Sequence, residues 1–182
     1  MKVLIDACVL YPTVMREMVL STAQEGFFTP LWSPRILEEW ARAAAKLGPD
    51  QESVARAEIA LLTAHWPKAS VLPHDGDLRR LWLPDENDIH VLAAAIAGGA
   101  DVLLTMNNAD FPRHTLAEEG LRRESPDLFL REFLDQDAET MTRIATRVLT
   151  QARTLSGEDW TIRRLMKKAR LPRLGKALDA LL

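Results

Sequence analysis

The chain has 182 residues with 47% hydrophobic content, enough to bury one full core with a small extension and too short for two large domains. Its formal net charge of -3 carries no global signature of a nucleic-acid binder, and the single Cys8 excludes an intramolecular disulfide. No apolar run reaches the about 18 residues of a membrane helix, and Met1 leads into a strand-like run rather than a leader, so the expected setting is a reducing cytoplasm with no membrane partner.

Val3-Leu4-Ile5 is a short apolar run that ends in Asp6, the pattern of a buried central strand with an acid at its exit. After the break at Tyr11-Pro12-Thr13, Val14, Met15, Met18, Val19 and Ala23 repeat at helical spacing up to Gly26. Phe27 to Trp32 reads as a second strand or extended segment. Ser33-Pro34 then opens a helix, because proline at the first helical position loses no useful donor. Ile36, Leu37, Trp40 and Ala44 form its buried stripe, with Glu38 and Glu39 near its start. Adjacent helix positions point about 100° apart, so only one of the two acids can face a given pocket, and Glu39 is preferred.

A further helix spans Gln51 to His65 and is stopped by Pro67. A polar turn around Asp75-Gly76-Asp77 leads to Leu83-Pro84-Asp85. Pro84 and Asp85 are helix-start residues, Asp88 follows one turn later, and Ile89, Leu92, Ala93 and Ile96 recur at helical spacing. Beyond Gly98-Gly99, Val102-Leu103-Leu104 reads as a buried parallel strand that delivers Thr105, Met106 and Asn107 at its carboxyl end. Asn108 to Pro112 is a loop by composition. Ser125-Pro126-Asp127 opens a helix with the stripe Leu128, Phe129, Phe133 and Leu134, and another helix runs from about Asp137 to Leu155. The tail after Gly157 interleaves apolar residues with seven Lys or Arg side chains between Arg163 and Lys176.

Strands alternating with amphipathic helices predict a three-layer α/β/α fold with a mostly parallel central sheet and a C-terminal helical extension. The division expected is a domain over 1–135 and an extension with a basic tail over 136–182. Right-handed crossovers gather the strand exits on one edge, where ligand sites of open α/β sheets form. Asp6, Glu39, Asp88 and either Asn107 or Asp110 then converge from separate segments. Crowded carboxylates resist ionisation unless a cation compensates, and oxygen ligands without a His or Cys cluster favour Mg²⁺ or Mn²⁺ over zinc. Such a site suits metal-assisted phosphodiester hydrolysis.

The stretches Val3 to Pro12, Trp32 to Trp40, Leu83 to Val91, Thr105-Met106-Asn107, Asp110-Phe111-Pro112 and Ser125 to Leu130 together resemble the PilT N-terminal (PIN) domain family, in its VapC-like toxin branch. The resemblance implies a metal-dependent endoribonuclease that acts as the toxin of a type II toxin-antitoxin system, with RNA as substrate and a small antitoxin protein as partner. It assigns Asp6, Glu39 and Asp88 as catalytic and metal-binding acids. Asn107, counted with the catalytic residues, stands where many relatives carry a fourth Asp, and Asp110, counted with the metal ligands, matches the acid of the Asp-Phe-Pro motif. Two departures stand out: Cys8 replaces an Asn common in relatives, and Asn107 leaves the site one negative charge short.

Around that core, Asp85 reads as a helix cap or a supporting acid, and Thr105 as the holder of a metal-bound water or of a strand-end backbone. His90 reads as a structural hydrogen-bonding group, and Cys8 as a small buried neighbour. Arg163, Arg164, Lys167 and Lys168 read either as RNA phosphate contacts or as a solvated helical face, with an antitoxin or homodimer contact as a further use. The competing functional class is a catalytically weak PIN-fold RNA-binding or regulatory module.

Overall fold

The computed structural model describes residues 1–182. In chain order its elements are β1 (Lys2–Ile5), α1 (Ala7–Leu10), α2 (Thr13–Gln24), β2 (Thr29–Leu31), α3 (Pro34–Ala45), α4 (Gln51–His65), α5 (Asp75–Arg80), a single 3₁₀ turn (Glu86–Asp88), α6 (Ile89–Ala97), β3 (Val102–Leu104), α7 (Arg113–Glu118), β4 (Arg122–Glu124), α8 (Pro126–Gln136), α9 (Ala138–Ser156), α10 (Ile162–Lys168) and α11 (Pro172–Asp179).

The four strands form one all-parallel sheet in the order β2-β1-β3-β4, flanked by helices in the three-layer α/β manner. Val3, Leu4 and Ile5 pair with Val102, Leu103 and Leu104, and all six are buried. The paired stretches Val3–Ile5 and Val102–Leu104 are apolar because a parallel sheet is covered on both faces. β4 was not expected. Its sequence, Arg122-Arg123-Glu124, has no apolar run, and it is an edge strand whose charges discourage pairing with another chain. α3 opens as read: Ser33 Oγ accepts from the Ile36 N–H at 3.2 Å, with Pro34 in the first turn. Gly98 ends α6 where a Cβ would meet Leu31 Cδ1 at 2.8 Å and Val71 Cγ2 at 3.2 Å, so a side chain here would have to displace those two side chains.

Two compact units emerge, and they are cut differently from the expected 1–135 and 136–182. One comprises Met1–Tyr11 and Phe28–Glu124 and contains the whole sheet. The other comprises Pro12–Phe27 and Ser125–Leu182 and is helical. The physical reason is long-range packing around α2. Thr22 Oγ1 donates to Met141 Sδ at 3.6 Å, Arg143 pairs with Glu25 at 3.0 Å, and Phe27 meets Phe133 at 5.0 Å between centroids. Within this helical unit the Asp127 carboxylate accepts from the Arg173 and Leu174 N–H groups and so caps α11 from α8.

Candidate metal centre

The chain moves from β1 to its neighbour β2 on one side, then crosses to β3 on the other, which makes the carboxyl ends of β1 and β3 the topological switch point. Asp6 and Thr105 leave those two ends. Their backbones stay tied to the sheet: the Asp6 N–H donates to Leu104 O and the Thr105 N–H to Glu124 O, each at 3.1 Å. The buried Asp6 carboxylate accepts from Thr105 Oγ1 at 2.6 Å and from Cys8 Sγ at 3.1 Å, both through Oδ2. The Thr105 hydroxyl in turn accepts the Asn107 N–H at 3.0 Å. Burial, followed by the Asp6 charge, pushes the Cys8 thiol up to about 12, so at neutral pH Cys8 is a donor to Asp6 and not a thiolate.

A second group of acids faces this exit. Ligand oxygens of Asp85, Asp88 and Asp110 all lie within 4.8 Å of one another. The helix start departs from the expected geometry, because the chain makes a 3₁₀ turn over Glu86–Asp88 before α6 begins. Asp85 takes the capping role, accepting from the Asn87 N–H at 2.9 Å, while Asp88 caps no backbone group with its side chain and is left for the cluster. Burial, then the charges of Asp6, Asp85 and Asp110, pushes the Asp88 carboxyl up to about 6. Asn107 offsets part of that repulsion. Its Nδ2 donates to Asp110 Oδ2 at 2.7 Å and to Asp88 Oδ2 at 3.1 Å, so the amide spans the gap between two carboxylates.

Glu39 is placed differently. Its Oε1 lies 2.8 Å from His90 Nε2 and 3.4 Å from Arg35 Nε, and it is not among the oxygens gathered around Asp88. The His90 contact is close but not an aligned hydrogen bond, since neither buried ring nitrogen has a partner of proper geometry. Glu38 points away, gripped by Arg56 at 2.9 Å and Arg42 at 3.0 Å, which hold its carboxyl down at about 2. The donor set around Asp88 is all oxygen, which suits a hard divalent cation.

Residues 2–109 match the family model described as PIN domain, more than half of the chain. The chain belongs to the PIN domain family. No curated protein and no solved structure matches it. PIN domains are generally metal-dependent nucleases acting on nucleic acids, and the acidic cluster is compatible with that chemistry. No helix is long and apolar enough to cross a membrane. The match takes in Asp6, Glu39, Asp85, Asp88 and Asn107 and stops just before Asp110.

What holds Asp110 in place lies outside the matched segment of this PIN domain. Arg123 Nη1, on β4, donates to Asn108 O at 2.7 Å and to Phe111 O at 2.6 Å, so one guanidinium nitrogen brackets the loop that carries Asp110. Sequence reasoning missed this clamp because nothing in Arg122-Arg123-Glu124 announces a strand. Arg123→Met is expected to weaken Mn²⁺ binding about 10- to 100-fold, the range for an outer partner of a metal ligand, and to speed exchange of the Asn107 side-chain amide protons in the metal-free protein. Calorimetric titration and amide NMR check it; unchanged Mn²⁺ affinity would count against the clamp. The basic candidates lie in the helical unit on α10. Arg164 and Lys168 sit over the Trp160 ring at 5.4 and 4.7 Å, and Arg163 lies 3.7 Å from Asp179.

Proposed function

We propose that this PIN domain is an endoribonuclease dependent on Mg²⁺ or Mn²⁺, working in the cytoplasm as the toxin of a type II toxin-antitoxin pair. The observation that carries the reading is the convergence of Asp85, Asp88 and Asp110 at the switch point, where burial and then the charges of Asp6, Asp85 and Asp110 push Asp88 up to about 6. Asp88 and Asp110, with Asp85, would hold the cation, and Asp6 would complete the site from the β1 side. When bound, the cation would supply charge compensation for the scissile phosphate and make a water it holds more acidic than bulk water. Thr105 and Cys8 fix the direction of the Asp6 carboxylate by donating to one of its oxygens, which leaves the other free. Glu39, also proposed as a catalytic acid, would have to exchange its His90 and Arg35 contacts for the cluster.

Arg163, Arg164, Lys167 and Lys168 are proposed as RNA phosphate contacts, and a small antitoxin and a second copy of the chain as protein partners. A second reading, an RNA-binding or regulatory module of low activity, is favoured by one observation. The Asn107 amide already supplies part of the charge compensation that a cation would otherwise provide.

Asn107→Asp separates the two. The substitution adds a carboxylate and is expected to raise Mn²⁺ affinity by about tenfold, as ligand charge does at oxygen sites. If the ribonuclease reading holds, the wild type cleaves single-stranded RNA in Mn²⁺, EDTA stops it, and Asn107→Asp does the same at lower Mn²⁺. Cleavage by Asn107→Asp alone would favour the binding module, and EDTA-insensitive or absent cleavage by both proteins would sink the metal-dependent ribonuclease.

A further inference from the structure

We infer that Trp82 is a stacking platform for an unpaired base of the RNA strand that reaches the acid cluster; the inference rests on the ribonuclease reading. Leu81 is extended (ψ 149°), and side chains along extended backbone alternate between two faces. Leu81 is 9% exposed, Leu83 is 1% exposed, and Trp82 between them is 66% exposed. Burial of the two leucines therefore holds the indole out in water. A large aromatic ring in that position forgoes the burial that makes Trp a strong contributor to cores and interfaces. Trp32, Trp40 and Trp160 are buried and Trp66 is half-buried, so an exposed ring is particular to Trp82.

The segment is tied down on both sides of the ring. Upstream, the Leu81 N–H donates to Asp77 O at 3.1 Å, and Arg80 grips Asp77 at 2.7 Å and both oxygens of Glu119 at 2.6 and 2.7 Å. Downstream, Pro84 restricts the backbone and Asp85 is fixed by the Asn87 N–H at 2.9 Å. A rigid presentation lowers the ordering cost of binding. Only Leu83 and Pro84 separate Trp82 from Asp85, so the two Cα atoms lie no more than about 11 Å apart along the chain's full reach.

That placement selects a nucleic-acid base as the occupant. A strand whose phosphate lies at Asp85, Asp88 and Asp110 brings its neighbouring bases within reach of the ring, and every base offers a π face to an indole. Bases within a duplex are already stacked on each other, so the platform favours single-stranded or looped RNA. Arg79, exposed three residues upstream, supplies a cation on the same segment.

The test compares the full-length wild type, Trp82→Ala and Trp82→Phe for binding to a fluorescent single-stranded RNA by anisotropy, in Ca²⁺ and in EDTA, with blunt duplex RNA alongside. Loss of one base–aromatic stack is expected to weaken single-strand binding by Trp82→Ala about tenfold. Trp82→Phe keeps most of the affinity, and duplex binding changes little. An abasic scan adds the specific readout: at one position the missing base costs the wild type a similar factor and costs Trp82→Ala nothing further. Equal affinities of wild type and Trp82→Ala, equal losses on single strand and duplex, or no RNA binding by the wild type would each overturn the inference. Failure of the metal reading shows separately, as identical binding in Ca²⁺ and EDTA without Mn²⁺-dependent cleavage, while the ratio between wild type and Trp82→Ala still reads the stack.

Discussion

Asp88→Asn is expected to abolish Mn²⁺-dependent RNA cleavage, by at least about 100-fold, while making the metal-free protein more stable. The activity loss exceeds what removing even an outer partner of a metal ligand costs. The gain in stability follows from the same crowding: burial and the charges of Asp6, Asp85 and Asp110 oppose ionisation of Asp88, and the amide carries no charge to oppose. An Asn at this position still offers an oxygen to Asn107 Nδ2, so the bridge to Asp110 survives. Solvent screens this partly exposed carboxylate, which leaves a gain of about 1 kcal/mol, or about 2–4 °C in the melting temperature of a chain this size. Calorimetry in EDTA checks the sign. A melting temperature lowered by Asp88→Asn would mean that Asp88 is a structural acid and not a member of a strained cluster.

The second large effect is the pH dependence of metal binding. Asp88 holds its proton up to about 6 in the folded chain, against 3.8 for a free Asp, so the folded state binds more protons than the unfolded one between those values. Its repulsion is therefore absent below pH 4, and the metal-free protein loses stability through this group as pH rises from about 4 to about 6. With Mn²⁺ the direction reverses, because the cation and the proton compete for one carboxylate. Lowering the pH from 7.5 to 5 is expected to weaken Mn²⁺ binding about tenfold or more, and to shrink the Mn²⁺-induced rise in melting temperature accordingly. Glu119 and Asp137, whose pKa values are lowered by Arg80 and by the Thr140 N–H, pull overall stability the other way in acid. The difference between wild type and Asp88→Asn isolates the Asp88 contribution. Mn²⁺ binding that is flat from pH 5 to 7.5 would contradict it.

Much of the sheet was legible because Val3–Ile5 and Val102–Leu104 are short, wholly apolar and followed by polar residues at their carboxyl ends. β4 was not, because an edge strand needs no apolar run, and with it the Arg123 clamp stayed hidden. The orientation of His90, and so its contact with Glu39, depends on the 3₁₀ turn before α6, which winds at 3.0 rather than 3.6 residues per turn and shifts the phase of everything after it. Helical spacing counted from Asp85 cannot show that shift. The bracing of Asp6 by Thr105 crosses nearly a hundred residues of sequence and depends on β1 and β3 being neighbours. Likewise, the assignment of α2 to the helical unit rests on contacts with α8 and α9 more than a hundred residues away.

Anomalous diffraction from crystals of the wild type soaked in Mn²⁺ tests the proposed metal centre most directly. The expected result is one strong peak within about 2–2.5 Å of carboxylate oxygens of Asp88 and Asp110, absent from Asp88→Asn crystals. A peak that ignores Asp88, or no ordered Mn²⁺ near the ends of β1 and β3, would contradict it.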